Sequence, residues 1–344
     1  MTTPSLIAAE ARRPLGRTPI EVTTMGFGGA ALGNLFQQVE EDAARSAVRA
    51  AYAAGIRFFD TAPFYGYGLS ERRIGDALRP FPRDSYVLSS KVGRRLVPRG
   101  RSPKQDDGYV DTLPFEPVYD YSYDGVRRSV EDSLQRIGTD RIDVLLIHDI
   151  GALTHGAAAH PELFRAAMTG GARALEELRR QGLVGAIGLG VNEWQVCLEA
   201  MREADFDCFL LAGRYTLLEQ EALETFLPEC GRRRISIILG GPFNSGILAS
   251  GAVAGATYDY RPAPPDILDR VRRIEAICTA HGVPLAAAAL QFPLHHPAVA
   301  SVIPGARTTA EVTANLALLR HPIPPRLWQE LKAAGLMRTD APTP

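Results

Sequence analysis

The sequence holds few cysteines, and none stand in pairs. Cys197, Cys208, Cys230 and Cys278 lie far apart, show no CxxC spacing and fall within apolar or helical stretches. That pattern argues against a zinc ribbon or a disulfide framework and is expected of reduced core residues in a cytoplasmic protein. HxH and HExxH spacings are lacking too, so no metal is expected. There is no excess of charge of one sign: 38 Lys and Arg against 39 Asp and Glu leave a net charge of -1. A chain this balanced has no broad basic face, so nucleic acid is not an expected partner. No run approaches the roughly 18 apolar residues of a membrane span. At the start of the chain, Leu6–Ala9 is broken by Glu10 and is too short for the apolar core of a signal peptide.

What the chain does have is alternation. Hydrophobic residues make up 46% of 344 positions, ample for one large core. Short apolar runs rich in β-branched residues read as strands at Val22–Phe27, Arg57–Asp60, Tyr86–Lys91, Ile142–His148, Val184–Gly188, Cys208–Leu211, Ser236–Gly240 and Val299–Ile303. They lack a clean polar alternation, as expected of parallel strands buried on both faces. Amphipathic runs between them read as helices at Glu40–Ala54, Ser70–Leu78, Tyr123–Ile137, Ala172–Gln181, Glu193–Glu203, Glu221–Cys230, Asp266–His281 and Thr308–Leu319, several closed by Gly or Pro. Eight successive βα units predict one (β/α)₈ barrel of the TIM type over residues 1–344, with a flexible tail over 1–12 and Arg13–Glu21 as a hairpin plugging the barrel bottom. Arg94–Tyr121 and Ile150–Gly171 lack a helical period and follow strands. In a barrel they are long loops at the C-terminal face, where such loops form lids or substrate walls.

Polar residues end three successive strands, where a barrel aims them at one pocket. Asp60 closes FFD, Lys91 closes YVLSSK and His148 closes DVLLIH; Tyr65 follows Asp60 by five residues. A charge at the end of an apolar strand needs a partner, and Asp60 and Lys91 on neighbouring strands can supply one another. A free tyrosine titrates near pH ~10 and is a poor proton shuttle at neutrality. An ammonium beside it is expected to lower that pKa, and the histidine to orient a substrate oxygen. Taken singly, each residue has a plainer reading: a turn aspartate, a loop aromatic, a surface lysine, a core histidine. Gly26–Ala31 fits the spacing GxGxxG/A. The glycines do not open a helix directly, because Leu32–Gln38 intervene, so a Rossmann turn is rejected. Gly28 and Gly29 are expected instead to let the backbone approach a cofactor at the barrel mouth.

FFDTAPFYGYGLSERRIGDAL, SSKVGR and RSVEDSLQRIGTDRIDVLLIHD together resemble the aldo-keto reductase superfamily, from about Arg13 to the last helix. The resemblance implies a (β/α)₈ barrel, a nicotinamide dinucleotide, no metal, and Asp60, Tyr65, Lys91 and His148 as the catalytic tetrad, with Tyr65 the acid or base. It implies cofactor contacts at Asp60 and Asn192, where Val191 replaces a more usual serine. Gly241, Pro242, Phe243, Asn244, Ser245 and Gly246 would follow the pyrophosphate. Gly305, Ala306, Arg307 and Asn315 would meet the adenosine. Members that prefer NADP often carry an arginine on the first turn of the last of these helices. Glu311 stands there, and a carboxylate repels a 2′-phosphate, which argues for NAD. Thr308 and Glu311 also form a capping-box spacing, and Arg307 could meet a phosphate, so NADP stays open.

The long Arg94–Tyr121 loop and GPFNSGILASG are similar to the bacterial branch whose members oxidise aldoses or pyridoxal. A small sugar or aldehyde is therefore the expected partner, with lactone formation from a hemiacetal such as that of L-fucose the leading reaction. Pyridoxal oxidation or general aldehyde reduction is the alternative on the same site. Tyr109, Tyr119, Tyr121 and Tyr123 could stack on a sugar or pyridine face, or be ordinary loop aromatics. A non-catalytic nicotinamide-binding regulator is the rival of a different class. It could dispense with its tetrad, whereas all four positions are filled here.

Overall fold

A computed structural model of the chain describes residues 7–344. A short hairpin opens it: β1 (Arg12–Pro14) pairs antiparallel with β2 (Glu21–Thr23). Then come β3 (Phe27–Gly28), α1 (Glu41–Ala53), β4 (Phe58–Asp60), α2 (Leu69–Leu78) and β5 (Val87–Val92). A second hairpin follows, β6 (Arg94–Pro98) with β7 (Phe115–Tyr119), and leads to α3 (Tyr123–Ile137) and β8 (Val144–His148). Next are α4 (Ala152–Ala166), α5 (Arg173–Arg180), β9 (Ala186–Val191), α6 (Gln195–Ala200), β10 (Cys208–Ala212), α7 (Phe226–Arg233) and β11 (Ser236–Gly240). The chain ends through α8 (Ile247–Ser250), a hairpin of β12 (Thr257–Tyr258) with β13 (Arg261–Pro262), α9 (Pro265–Ala280), α10 (Leu285–Gln291), β14 (Val299–Ile303), α11 (Thr309–Leu319) and α12 (Pro325–Ala333).

Eight strands form one parallel sheet in the order β14-β11-β10-β9-β8-β5-β4-β3. It closes on itself through single bridges, Met25 opposite Val302 and Gly28 opposite Gly305. The amides of Gly26 and Gly28 donate to the carbonyls of Val302 and Pro304 across this seam. This is the expected (β/α)₈ barrel. Two apolar layers hold it. One lies between strands and helices. The other fills the lumen with Phe58, Val144, Leu146, Ala186, Cys208, Leu210, Ile238 and Ile303. Leu15 and Val22 of the first hairpin join the lumen cluster, so the hairpin plugs the barrel as expected.

Several boundaries differ from the sequence reading. The single strand expected at Val22–Phe27 is two: Glu21–Thr23 belongs to the plug and only Phe27–Gly28 to the barrel. Both pieces are apolar because both are buried, and periodicity cannot separate them. The tail expected over residues 1–12 is shorter. Its first six residues lie outside the described residues. Beyond them, Ala9 is fully buried and the Thr24 amide donates to the Ala11 carbonyl. The stretch Ile150–Gly171, read as a loop, contains α4, broken at Gly156 (φ 75°) and continued by a wide turn over Ala167–Ala172 into α5. Its glycines and Pro161 mask the period, but its alanines favour helix once the segment packs. The Arg94–Tyr121 loop is a β-hairpin, whose charged and aromatic residues gave no clean alternation.

All four cysteines are free and buried. Among the described residues, no single helix is long and apolar enough to cross a membrane.

Candidate active site

Strand alternation decides which residues enter the lumen. Phe58 faces it, so Asp60, two residues on, does too. Leu146 faces it, so His148 does too. Lys91 stands one strand from each of them, between β4 and β8. The lower lumen is apolar and the top layer is polar, which is the usual place for a barrel's chemistry. Gly190 on β9 makes room for the lysine, since a Cβ there would sit 3.1 Å from Lys91 Cε.

Lys91 and Asp60 are 1% and 2% exposed and paired, Nζ donating to Oδ2 at 2.8 Å. The ammonium also donates to the Thr61 carbonyl at 3.0 Å, and Ser89 Oγ donates to Asp60 Oδ1 at 2.5 Å. The pair is therefore held from both ends. Tyr65 lies directly above, its ring centroid 4.7 Å from Lys91 Nζ, and His148 meets that ring edge-on at 6.1 Å. All four residues expected at the tetrad are thus together.

The electrostatics differ from expectation in one respect. The Tyr65 phenol is pushed well above its ordinary value, by burial first, then by Asp60, Tyr260 and Asp149, against the opposing pull of Arg94. Lys91 does not acidify it as predicted, because the ammonium meets the ring face while its hydrogen bonds go to Asp60 and Thr61. His148 is driven well below the usual imidazole range by burial, then by Arg94 and Lys91. It is a neutral imidazole at pH 7. Its Nδ1 is buried without a hydrogen-bond partner.

A cavity of about 680 Å³ opens above these residues. Its walls include Phe64, Tyr109, Tyr260, Arg94, Asp149 and Asn192. Arg94, Asp149, Phe64 and Tyr260 carried no role in the sequence reading. Two of them had a signal there: Arg94 follows Lys91 by three residues and Asp149 follows His148 directly. Asp149 has a positive φ of 49°, unfavourable for a residue with a side chain. Its amide donates to the Gly190 carbonyl at 2.9 Å, and its carboxylate takes Arg94 on one oxygen and Asn192 Nδ2 on the other, at 3.2 Å. Of the loop tyrosines, only Tyr109 lines the cavity. Tyr119 lies outside, under Arg94. The Tyr121 hydroxyl donates to the carbonyls of His148 and Asp149, and that of Tyr123 to Glu177.

The residues expected to hold a cofactor follow the strands of the other half of the barrel. Asn192 follows β9, Gly241–Gly246 follows β11 and Gly305–Asn315 follows β14. Asn244, Ser245 and Gly246 are all left-handed (φ 44°, 60° and 105°), turning the chain sharply at the mouth. Asn244 braces that turn by donating to the Gly213 carbonyl and accepting from Thr216. Asn315 Nδ2 donates to the Gly305 carbonyl at 3.3 Å. Gly28 and Gly29 are packed tightly. A Cβ at Gly28 would lie 2.7 Å from the Ile303 carbonyl, and one at Gly29 would lie 2.6 Å from that of Asp60. Their smallness serves barrel closure. Glu311 is a cap in fact: it accepts from the Arg307 amide at 2.7 Å, while Thr308 Oγ1 accepts from the Glu311 amide at 3.2 Å.

Comparison with known proteins decides the family. The model of the "Aldo/keto reductase family" matches residues 24–335. The chain is an aldo-keto reductase. It is 45% identical to a pyridoxal 4-dehydrogenase from Microbacterium luteolum, over 96% of this chain and 99% of that one. It is 41% identical to a D-threo-aldose 1-dehydrogenase from a Pseudomonas species, over 93% and 96%. Among solved structures, an aldo-keto reductase from Bacillus halodurans superposes with a TM-score of 0.70 at 25% identity, over 96% of this chain and 97% of that one.

The protein is thus an oxidoreductase of a family that uses nicotinamide cofactors. The mouth fits such a group. Gly305 is exposed, with nothing closer than 3.6 Å to a Cβ built on it, and the neighbouring Arg307 has a buried Nε without a partner. A polyanion placed there meets open backbone and a guanidinium.

The pairing of Lys91 and Asp60 is directly testable. Asp60→Asn and Lys91→Met should each destabilise the fold by about 3–5 kcal/mol in denaturant melts, because each strands a buried charge. The double variant should lose clearly less than the sum. Additive losses would show that the two charges do not depend on each other.

Proposed function

We propose that this aldo-keto reductase oxidises a cyclic hemiacetal to its lactone with NAD, Tyr65 serving as the general base and, in the reverse direction, as the acid. The observation that carries this reading is the buried Lys91–Asp60 pair set against the Tyr65 ring, with His148 in the same cavity. When bound, the nicotinamide supplies the hydride acceptor for oxidation and the donor for reduction. Tyr65 takes the proton of the anomeric hydroxyl, or returns one to a carbonyl oxygen. His148, neutral, offers a ring nitrogen to orient that oxygen without adding charge. Asn192, tethered to Asp149, would meet the carboxamide of the nicotinamide. Reduced, buried cysteines fit a cytoplasmic setting.

Two hemiacetal chemistries suit the site. D-threo-aldose is the substrate named for one relative and pyridoxal for another. Both carry the hemiacetal carbon that this chemistry needs. The aromatic walls at Phe64, Tyr109 and Tyr260 favour a ligand with an apolar face, which the pyridine ring of pyridoxal has on both sides and a sugar ring on one.

NAD is preferred to NADP on the charge of Glu311. The carboxylate spends one oxygen on the Arg307 amide and lies 3.6 Å from the Arg307 guanidinium, where its own charge would repel a 2′-phosphate.

The purified protein should form NADH from NAD⁺ with L-fucose or with pyridoxal, and more slowly with NADP⁺; no turnover of either compound would overturn the hemiacetal reading. Tyr65→Phe should lose about 10²–10⁴-fold in turnover, with NADH affinity held within about twofold. Because the Tyr65 phenol is raised and only its deprotonated form accepts a proton, kcat/KM for oxidation should climb about tenfold per pH unit from about pH 6 to 9. His148 stays neutral across that window and adds no second limb. A plateau below about pH 8 would mean that the phenol is acidified in the working enzyme. Glu311→Gln keeps the cap and removes the charge, so the NADP⁺-to-NAD⁺ ratio should rise about 5–10-fold. An unchanged ratio would leave Glu311 as a cap alone.

A further inference from the structure

Arg94 is the first residue of β6, just past Gly93, whose φ of 95° turns the chain inward from β5. The side chain is only 8% exposed, yet it lines the main cavity. It also lines a smaller one of about 230 Å³ behind it, beside Phe64, Asp107 and Tyr119. Its guanidinium stacks over the Phe64 ring at 4.0 Å and lies 5.1 Å from the Tyr119 ring. Asp149 accepts a hydrogen bond from Nη2, Nε is sealed off without a partner, and Nη1, which is not sealed, makes no hydrogen bond among the described residues. A guanidinium carries five N–H donors, and burying them unsatisfied is costly. One carboxylate oxygen does not satisfy this one. The packing therefore holds a planar donor rigidly in the wall of the reaction cavity with bonding capacity unspent.

We infer that Arg94 is the specificity residue of the site: the edge of its guanidinium not turned to Asp149 receives a substrate oxygen carried on a carbon near the reacting hemiacetal carbon. The inference deepens the hemiacetal reading and rests on it for the identity of the reacting carbon. Asp149 balances the arginine, so the site selects a hydrogen-bond acceptor and does not require a full anion. A ring hydroxyl of an aldose and the phenol oxygen of pyridoxal share this chemistry. The strain at Asp149 has a use here: its left-handed backbone puts the carboxylate where it can orient Arg94 with one oxygen and Asn192 with the other. Substrate and nicotinamide contacts are thereby set by one residue.

The test compares ligands that differ only by that oxygen. The full-length protein, with NADH bound, is titrated calorimetrically with L-fucose and 2-deoxy-L-fucose, and with pyridoxal and 3-deoxypyridoxal. Wild type should bind the oxygen-bearing member of one pair about 10–100-fold more tightly, the range expected for a hydrogen bond to a charged group. The pair that shows the gap identifies the source of the oxygen. Arg94→Lys keeps a positive charge for Asp149, and so the fold, but loses the planar fork. It should close most of that gap while leaving the deoxy ligand and NADH affinity unchanged. Equal affinities within both pairs in wild type, or equal losses for parent and deoxy ligand in the variant, would make Arg94 a structural strut and overturn the inference. A clear affinity gap without turnover would uphold Arg94 and sink the oxidation instead.

Discussion

The site depends on one buried ion pair. Lys91 and Asp60 sit at the top of a lumen that is otherwise hydrocarbon, and neither charge is tolerable there without the other. Each needs the barrel to be closed, since they lie on neighbouring strands and meet only when β4 and β5 are in register, Asp60 opposite Ser89. Ser89 and the Thr61 carbonyl then fix the pair from either side. The same pairing has an electrostatic consequence. The lysine contributes position and a cation over the Tyr65 ring, while its partner Asp60 pushes the phenol up. Burial dominates the phenol and keeps it protonated. The phenol is thus set to donate a proton, and the proposed oxidation would run against that bias.

Around the pair, the barrel divides its labour between two halves. The strands from β4 to β8 carry the residues proposed for proton chemistry. Those from β9 to β14 end in the loops expected to follow the dinucleotide. The Arg94–Asp149–Asn192 chain crosses between them. It joins the β6–β7 hairpin, the end of β8 and the end of β9. Tyr121 clamps the same place by bonding the carbonyls of His148 and Asp149. The hairpin is thus tied to the strand ends at the point where the histidine leaves the lumen, which makes the substrate wall part of the rigid framework.

Much of this was legible in the sequence. The number and order of barrel strands, the plug at the bottom, the tetrad and the burial of the cysteines all follow from local patterns. Apolar runs of the right length, charged residues at their ends and glycines after the helices act within a few residues of where they are read. What the sequence hid required knowledge of the neighbour. The tight packing of Gly28 against Ile303 and of Gly29 against Asp60 is seen only in the fold. Glu311 was given both a selective role and a cap, and only the fold shows the cap being made. Ala152–Ala166 hides its helix behind Gly156 and Pro161.

By itself, the sequence determined the barrel, because strand and helix periods are local, and the facing of Asp60, Lys91 and His148, because alternation within a strand carries each of them to a known face; Tyr65 lies in the turn after β4. The tertiary structure alone decided the proton affinity of Tyr65, the neutrality of His148 and the partners of Arg94. Those properties come from burial and from charges on other strands, and neither is encoded at the residue that feels them.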